Sequence, residues 1–82
     1  LDPSWLIIEE INAGHTARSS ESVQQASHKL KSAAFSIGAE YLGEQCRQIE
    51  SAAKADDWQT IDQVVPAIGE SMKQVAAYID QL

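Results

Sequence analysis

The stretch Ala26-Ser27-His28-Lys29-Leu30-Lys31-Ser32-Ala33-Ala34-Phe35-Ser36-Ile37-Gly38-Ala39 sets the organisation of the whole chain. At about 100° per residue it reads as most of one amphipathic helix, stopped by a glycine. Val23, Ala26, Leu30, Ala33, Ala34 and Ile37 fall within roughly 100° of one another, the width of a core-facing stripe. His28 lies roughly 170° from the middle of that stripe, so its imidazole faces solvent. Lys31 and Ser32 lie one turn on and Phe35 two turns on, on the same side. The helix therefore carries a second, outward face with chemistry of its own.

Around that stretch the chain reads as helix throughout. Asp2-Pro3 is a helix start, with Asp2 as cap and Pro3 at the first helical position. Trp5, Leu6, Ile7, Ile8 and Ile11 make the first helix apolar over more than one face, and Asn12 and Gly14 favour its end. Thr16 to Ser20 is a short connection, and Ser19 or Ser20 caps the second helix with Glu21 in its first turn. That helix ends at about Ile37. A third helix runs from near Ala39 to about Ala55, with the stripe Leu42, Cys46, Ile49 and Ala53, flanked by Ala39 and Ala52. Glu50 and Lys54 sit at the stripe's edge, one turn apart. Asp56 or Asp57 caps a fourth helix with the seam Trp58, Ile61, Val65, Ile68, Met72, Val75, Ile79 and Leu82. Pro66 inside it predicts a kink or a break into two helices. The expected fold is all-α, an antiparallel four-helix bundle forming a single domain over residues 1–82.

Composition bounds the function. Eighty-two residues make one domain with a modest core. The net charge of −6 and the scattered basic residues argue against nucleic acid or an anionic membrane surface as partner. A lone cysteine makes no internal disulfide, which fits a reducing compartment. No apolar run approaches the ~20 residues needed to span a bilayer, and no signal peptide is visible. The start at Leu1 rather than methionine suggests a domain excised from a longer protein.

His28-x-Leu30-Lys31, the small residues Ser32-Ala33-Ala34, Ile37-Gly38-Ala39, and then Leu42, Cys46, Ile49 and Glu50 together resemble a histidine-containing phosphotransfer (HPt) domain. The resemblance is strong over about residues 23–55 and elsewhere lies only in the helical pattern. One departure is that the family often has glycine where this chain has Ser32. The resemblance implies that His28 accepts a phosphoryl group from the aspartate of one response-regulator receiver domain and passes it to another. Tethering to a hybrid sensor histidine kinase, and hence a cytoplasmic location or the cytoplasmic part of a membrane-bound sensor, follows as an expectation.

The residue chemistry agrees. Imidazole titrates near neutral pH, and its neutral nitrogen is a good nucleophile. Nε2 projects furthest from the backbone and is the expected site. Lys31, one turn from His28, is positioned to offset phosphoryl charge. By the resemblance, Glu50 and Lys54 lie on the neighbouring helix near the histidine. Glu50 is then a candidate to hydrogen-bond the other ring nitrogen, and Lys54 to contact phosphate or a partner; the plainer reading makes them an exposed pair at i, i+4. Phe35, with Ser32 and Lys31 beside it, is the expected docking contact. Cys46 reads as a small core residue, Met72 and the two tryptophans as core, and His15 as a solvated loop residue. No P-loop, kinase motif or paired metal carboxylates are present, so ATP-dependent kinase activity, a resident cofactor and a metal site are not expected. Magnesium would belong to the receiver. The alternative reading is a phosphorylation-incompetent helical docking module for a receiver or kinase partner.

Overall fold

The computed structural model describes the backbone of residues 4–80 and the side chains of residues 5–78. Four helices follow one another: α1 (Ser4–Thr16), α2 (Ser20–Ser36), α3 (Glu40–Lys54) and α4 (Trp58–Asp80). Each packs on its neighbour in chain order, and α4 closes back on α1. Cross-helix pairs show the antiparallel sense. His28 meets Glu50, and Phe35 meets Gly43, seven residues forward on α2 and seven back on α3. Glu10 likewise pairs with Lys29 and Gly14 with Val23 between α1 and α2. The expected starting signal at Asp2-Pro3 and the seam position Leu82 lie outside the described residues, as does the side chain of Ile79.

The turns have clear local causes. Ser19 caps α2, its hydroxyl accepting from the backbone N–H of Ser22 at 3.3 Å. Gly38 takes φ +78°, the left-handed conformation that ends α2 without Cβ strain. Asp57 caps α4, accepting from the Thr60 N–H at 3.2 Å and from its hydroxyl at 2.7 Å. Three short connections of this kind leave the helices no option but to fold back on one another.

The core is the pattern's own stripe. Val23, Ala26, Leu30 and Ala34 of α2 meet Leu42, Cys46, Ile49, Ala52 and Ala53 of α3, Ile8 and Ile11 of α1, and Ile61, Val65, Ile68 and Met72 of α4. Burial pushes the Cys46 thiol up to about 12, with Lys31 pulling slightly the other way, so the cysteine is an inert core group.

Three expectations are corrected here, and the alternatives at Pro66 are narrowed. Ile37, placed in the stripe, is 54% exposed: α2 stops at Ser36, so Ile37 leaves the helical phase as the cap. Trp5 is also exposed, since it lies about 120° from Ile11 around α1. Helix α1 does not end at Asn12–Gly14; Gly14 is buried inside it because α2 passes close. A Cβ there would come within 3.1 Å of the Ser22 Cβ and of Val23. Of the kink and the break expected at Pro66, the break does not occur: α4 runs through as one helix. Pro66 is on the exposed side, where a carbonyl left without its helical N–H partner can be hydrated.

Candidate functional site

The outward face of α2 is as the periodicity places it. His28 projects from the middle of the helix with its side chain 59% exposed. Its backbone is fixed from the opposite side by Leu30 and Ala26, both in the core. Ser27, next to it, is fully buried and spends its hydroxyl on the Val23 carbonyl at 2.7 Å, so no polar group competes beneath the histidine.

The decisive partner comes from α3. Glu50 Oε2 lies 2.8 Å from His28 Nδ1, and Glu50 Oε1 lies 2.7 Å from Lys31 Nζ. The Glu50 side chain is only 10% exposed. Its burial pushes the carboxyl pKa up, but hydrogen bonds and charge from Lys31 and His28 outweigh burial and hold it below the ordinary carboxylate value. An ionised carboxylate only accepts hydrogen bonds. Nδ1 therefore carries the proton, and in the neutral imidazole the lone pair is on Nε2, the nitrogen that points away from the bundle.

The remaining expected residues distribute around this triad. Lys31 is half-buried and engaged by Glu50 rather than standing free. Ser32 is exposed one turn beyond His28. Lys54 is exposed in the last turn of α3. The plain pairing of Glu50 with Lys54 is not what forms; Glu50 turns inward to α2 instead. Phe35 is 43% exposed, yet not detached: its ring lies on Gly43 of α3, where an added Cβ would sit 2.6 Å from Cε1. Gly43 thus seats Phe35 beside the histidine face. A glycine inside a helical pattern was the signal that could have announced it.

The second histidine is a correction. His15 is not in a loop but in the last turn of α1, with its side chain 23% exposed. Its Nε2 lies 2.6 Å from Asp62 Oδ1, and its ring stacks on Trp58 with centroids 6.5 Å apart. Arg18, at φ +54°, donates to the same carboxylate at 2.7 and 3.3 Å and covers the Trp58 ring at 4.9 Å. This cluster ties α1 to α4. Among the described residues, no three His, Cys, Asp or Glu side chains come together as a metal site. No described helix is long and apolar enough to cross a membrane.

The described helices form a four-helix bundle that displays one carboxylate-held imidazole in mid-helix. The family follows from the sequence, since the model of the Hpt domain matches residues 6–82. The chain belongs to the Hpt domain family. Hpt domains are phosphocarrier modules rather than kinases; they carry phosphoryl groups on histidine in two-component phosphorelays and interact with response-regulator receiver domains. No curated protein and no solved structure matches the chain.

Proposed function

We propose that His28 is the phosphoryl carrier, taking the group from a receiver aspartate and passing it to another receiver. The observation that supports this most directly is the Nδ1–Glu50 hydrogen bond at 2.8 Å, which leaves Nε2 as the outward nucleophile. Nε2 attacks phosphorus, the P–N bond forms as the P–O bond to the receiver breaks, and the aspartate leaves as carboxylate. The ring becomes positively charged in the process. That charge is shared with Nδ1–H, which already faces an ionised, well-buried carboxylate. Glu50 thus stabilises charge that develops only as the bond forms. Onward transfer reverses the same steps.

The supporting roles follow by position. Lys31, shared with Glu50, and Lys54 supply positive charge in a domain of net charge −6 that otherwise repels phosphate. Ser32 offers a hydroxyl one turn from the histidine, and Phe35, with Lys31 and Ser32, meets the receiver. Magnesium and the electrophilic chemistry belong to the receiver; this domain supplies a rigidly held nucleophile and binds no nucleotide. Tethering to a hybrid sensor histidine kinase fits a module of this size. The test is incubation with radiolabelled phospho-receiver. Label that is acid-labile, base-stable and confined to His28 is expected. A chain that binds the receiver but takes no label would be a docking module instead.

A further inference from the structure

Gln24 stands one turn before His28 on α2. It is seven residues from Lys31, so the two lie within about 20° of each other around the helix. Lys31 reaches Glu50 on α3, which places Gln24 on the same α3-facing side. The register that pairs His28 with Glu50 also sets Gln24 level with Lys54. Gln24 is half-buried, and with His28 and Glu50 it edges an open groove whose other wall is α1.

Side-chain direction brings the two residues closer than their spacing suggests. Cα–Cβ bonds on a helix tilt toward its N-terminus, so the His28 ring leans back over the turn that holds Gln24. The Gln24 carbonyl accepts from Ser27 Oγ at 3.1 Å, whereas no hydrogen bond among the described residues engages its carboxamide. Lys31, by contrast, is already shared with Glu50. A phosphoryl group on Nε2 adds up to two negative charges near the Glu50 carboxylate and needs donors that are not committed elsewhere.

We propose, resting on the phosphocarrier reading of His28, that Gln24 is a phosphoryl-contacting residue whose carboxamide N–H groups donate to the oxygens of the group on Nε2. Gln24 and Lys54 then flank the phosphoryl on the N-terminal side of His28, with Lys31 and Ser32 on the other.

The test compares Gln24→Ala, Gln24→Glu and Gln24→Lys with wild type, using two phosphoryl donors, a phospho-receiver and phosphoramidate. The small donor has no docking surface, so it isolates contact with the phosphoryl group from contact with the partner. Thermal melts verify that each variant is folded. Gln24→Ala is expected to lower the acceptance rate by about 3- to 10-fold with both donors, the worth of one hydrogen bond. Gln24→Glu should cost roughly 10-fold or more, and Gln24→Lys should match or exceed wild type, which a purely structural role would not produce. Three variants within twofold of wild type overturn the inference. So does a loss seen only with the receiver, which would make Gln24 a docking contact. A wild type that accepts from neither donor overturns the phosphocarrier reading itself, and this inference with it.

Discussion

The chain holds two histidine–carboxylate pairs, and they are built in opposite senses. His28 gives its inner nitrogen, Nδ1, to a well-buried carboxylate and keeps Nε2 in solvent. His15 gives its outer nitrogen, Nε2, to the exposed carboxylate of Asp62, and its ring is spent on Trp58. Asp62 is further claimed by Arg18, which with His15 holds its carboxyl below the usual aspartate value. A carboxylate beside an imidazole therefore does not by itself make the arrangement proposed for the phosphoacceptor His28. What matters is which nitrogen the carboxylate takes, and whether the other meets solvent on a surface a partner can reach. On the proposed reading the first pair presents a nucleophile; the second ties α1 to α4.

The largest effect tests that division directly. His28→Gln keeps a polar side chain of similar reach but removes the ring nitrogen, so phosphoryl acceptance should fall below detection while receiver binding persists. His15→Gln should accept at the wild-type rate. Label on the His28→Gln protein would mean that a residue other than His28 takes the phosphoryl group. Next in size is the packing that holds the first pair in place. Leu30 and Ile49 are fully buried directly behind the face that presents His28 and Glu50. Either one changed to alanine should lose on the order of 2–5 kcal/mol in chemical denaturation. His28→Ala, whose ring is exposed but which bonds the well-buried Glu50, should lose less, about 1 kcal/mol. Equal losses would place His28 in the core and remove the distinction between the two faces of α2.

Most of the scaffold was legible in the sequence because helical phase is a local property. The stripe of Val23, Ala26, Leu30 and Ala34 fixed where His28, Lys31, Ser32 and Phe35 would point. Register between helices is not local, and the pairing of Glu50 with the second ring nitrogen of His28 followed from the family resemblance, not from the helical pattern. Glu50 lies at the edge of its own stripe, and nothing within α3 says that α2 will cover it and turn it toward His28. Gly14 looks like a stop because glycine often is one; that α2 crosses there is a tertiary fact, and with the helix extended His15 moves from loop to clasp. Gly43 is the same case. The tie of Arg18 and His15 to Asp62 joins residues more than forty apart, with no pattern to announce it.

Glu50→Gln can still accept from Nδ1–H but removes the charge that balances the phosphorylated ring, so acceptance should slow roughly 10-fold. Asp62→Asn should leave the rate unchanged in the same assay; a slowing there would tie the clasp to the chemistry. On the docking side, Phe35→Ala should weaken receiver affinity by about 1 kcal/mol or more in a binding titration. Gly43→Ala should weaken it as well while leaving the fold intact. The new Cβ collides with the far end of the Phe35 ring, which is free to swing into solvent but then no longer occupies its seat.

The smallest effect is the pH dependence of stability, and both carboxylates share its sign. Glu50 and Asp62 have folded-state pKa values below their ordinary ones. Folding therefore favours their ionised forms. Each contribution is complete above the unfolded-state value of about 4 and is lost as pH falls through the lower folded value. Melting temperature should accordingly drop on acidification from about pH 5 to below pH 3. Asp62→Asn removes one contributor, so the variant should melt below wild type at neutral pH and approach it in acid. The shift should be slight, because Asp62, Arg18 and their hydrogen bonds are exposed and screened by solvent. It should also shrink in high salt, whereas the contribution of the well-buried Glu50 should persist. An Asp62→Asn deficit that stayed constant from neutral to acid pH would mean that the clasp is held by Trp58 stacking and not by charge. The two histidines would then differ in more than which nitrogen is held.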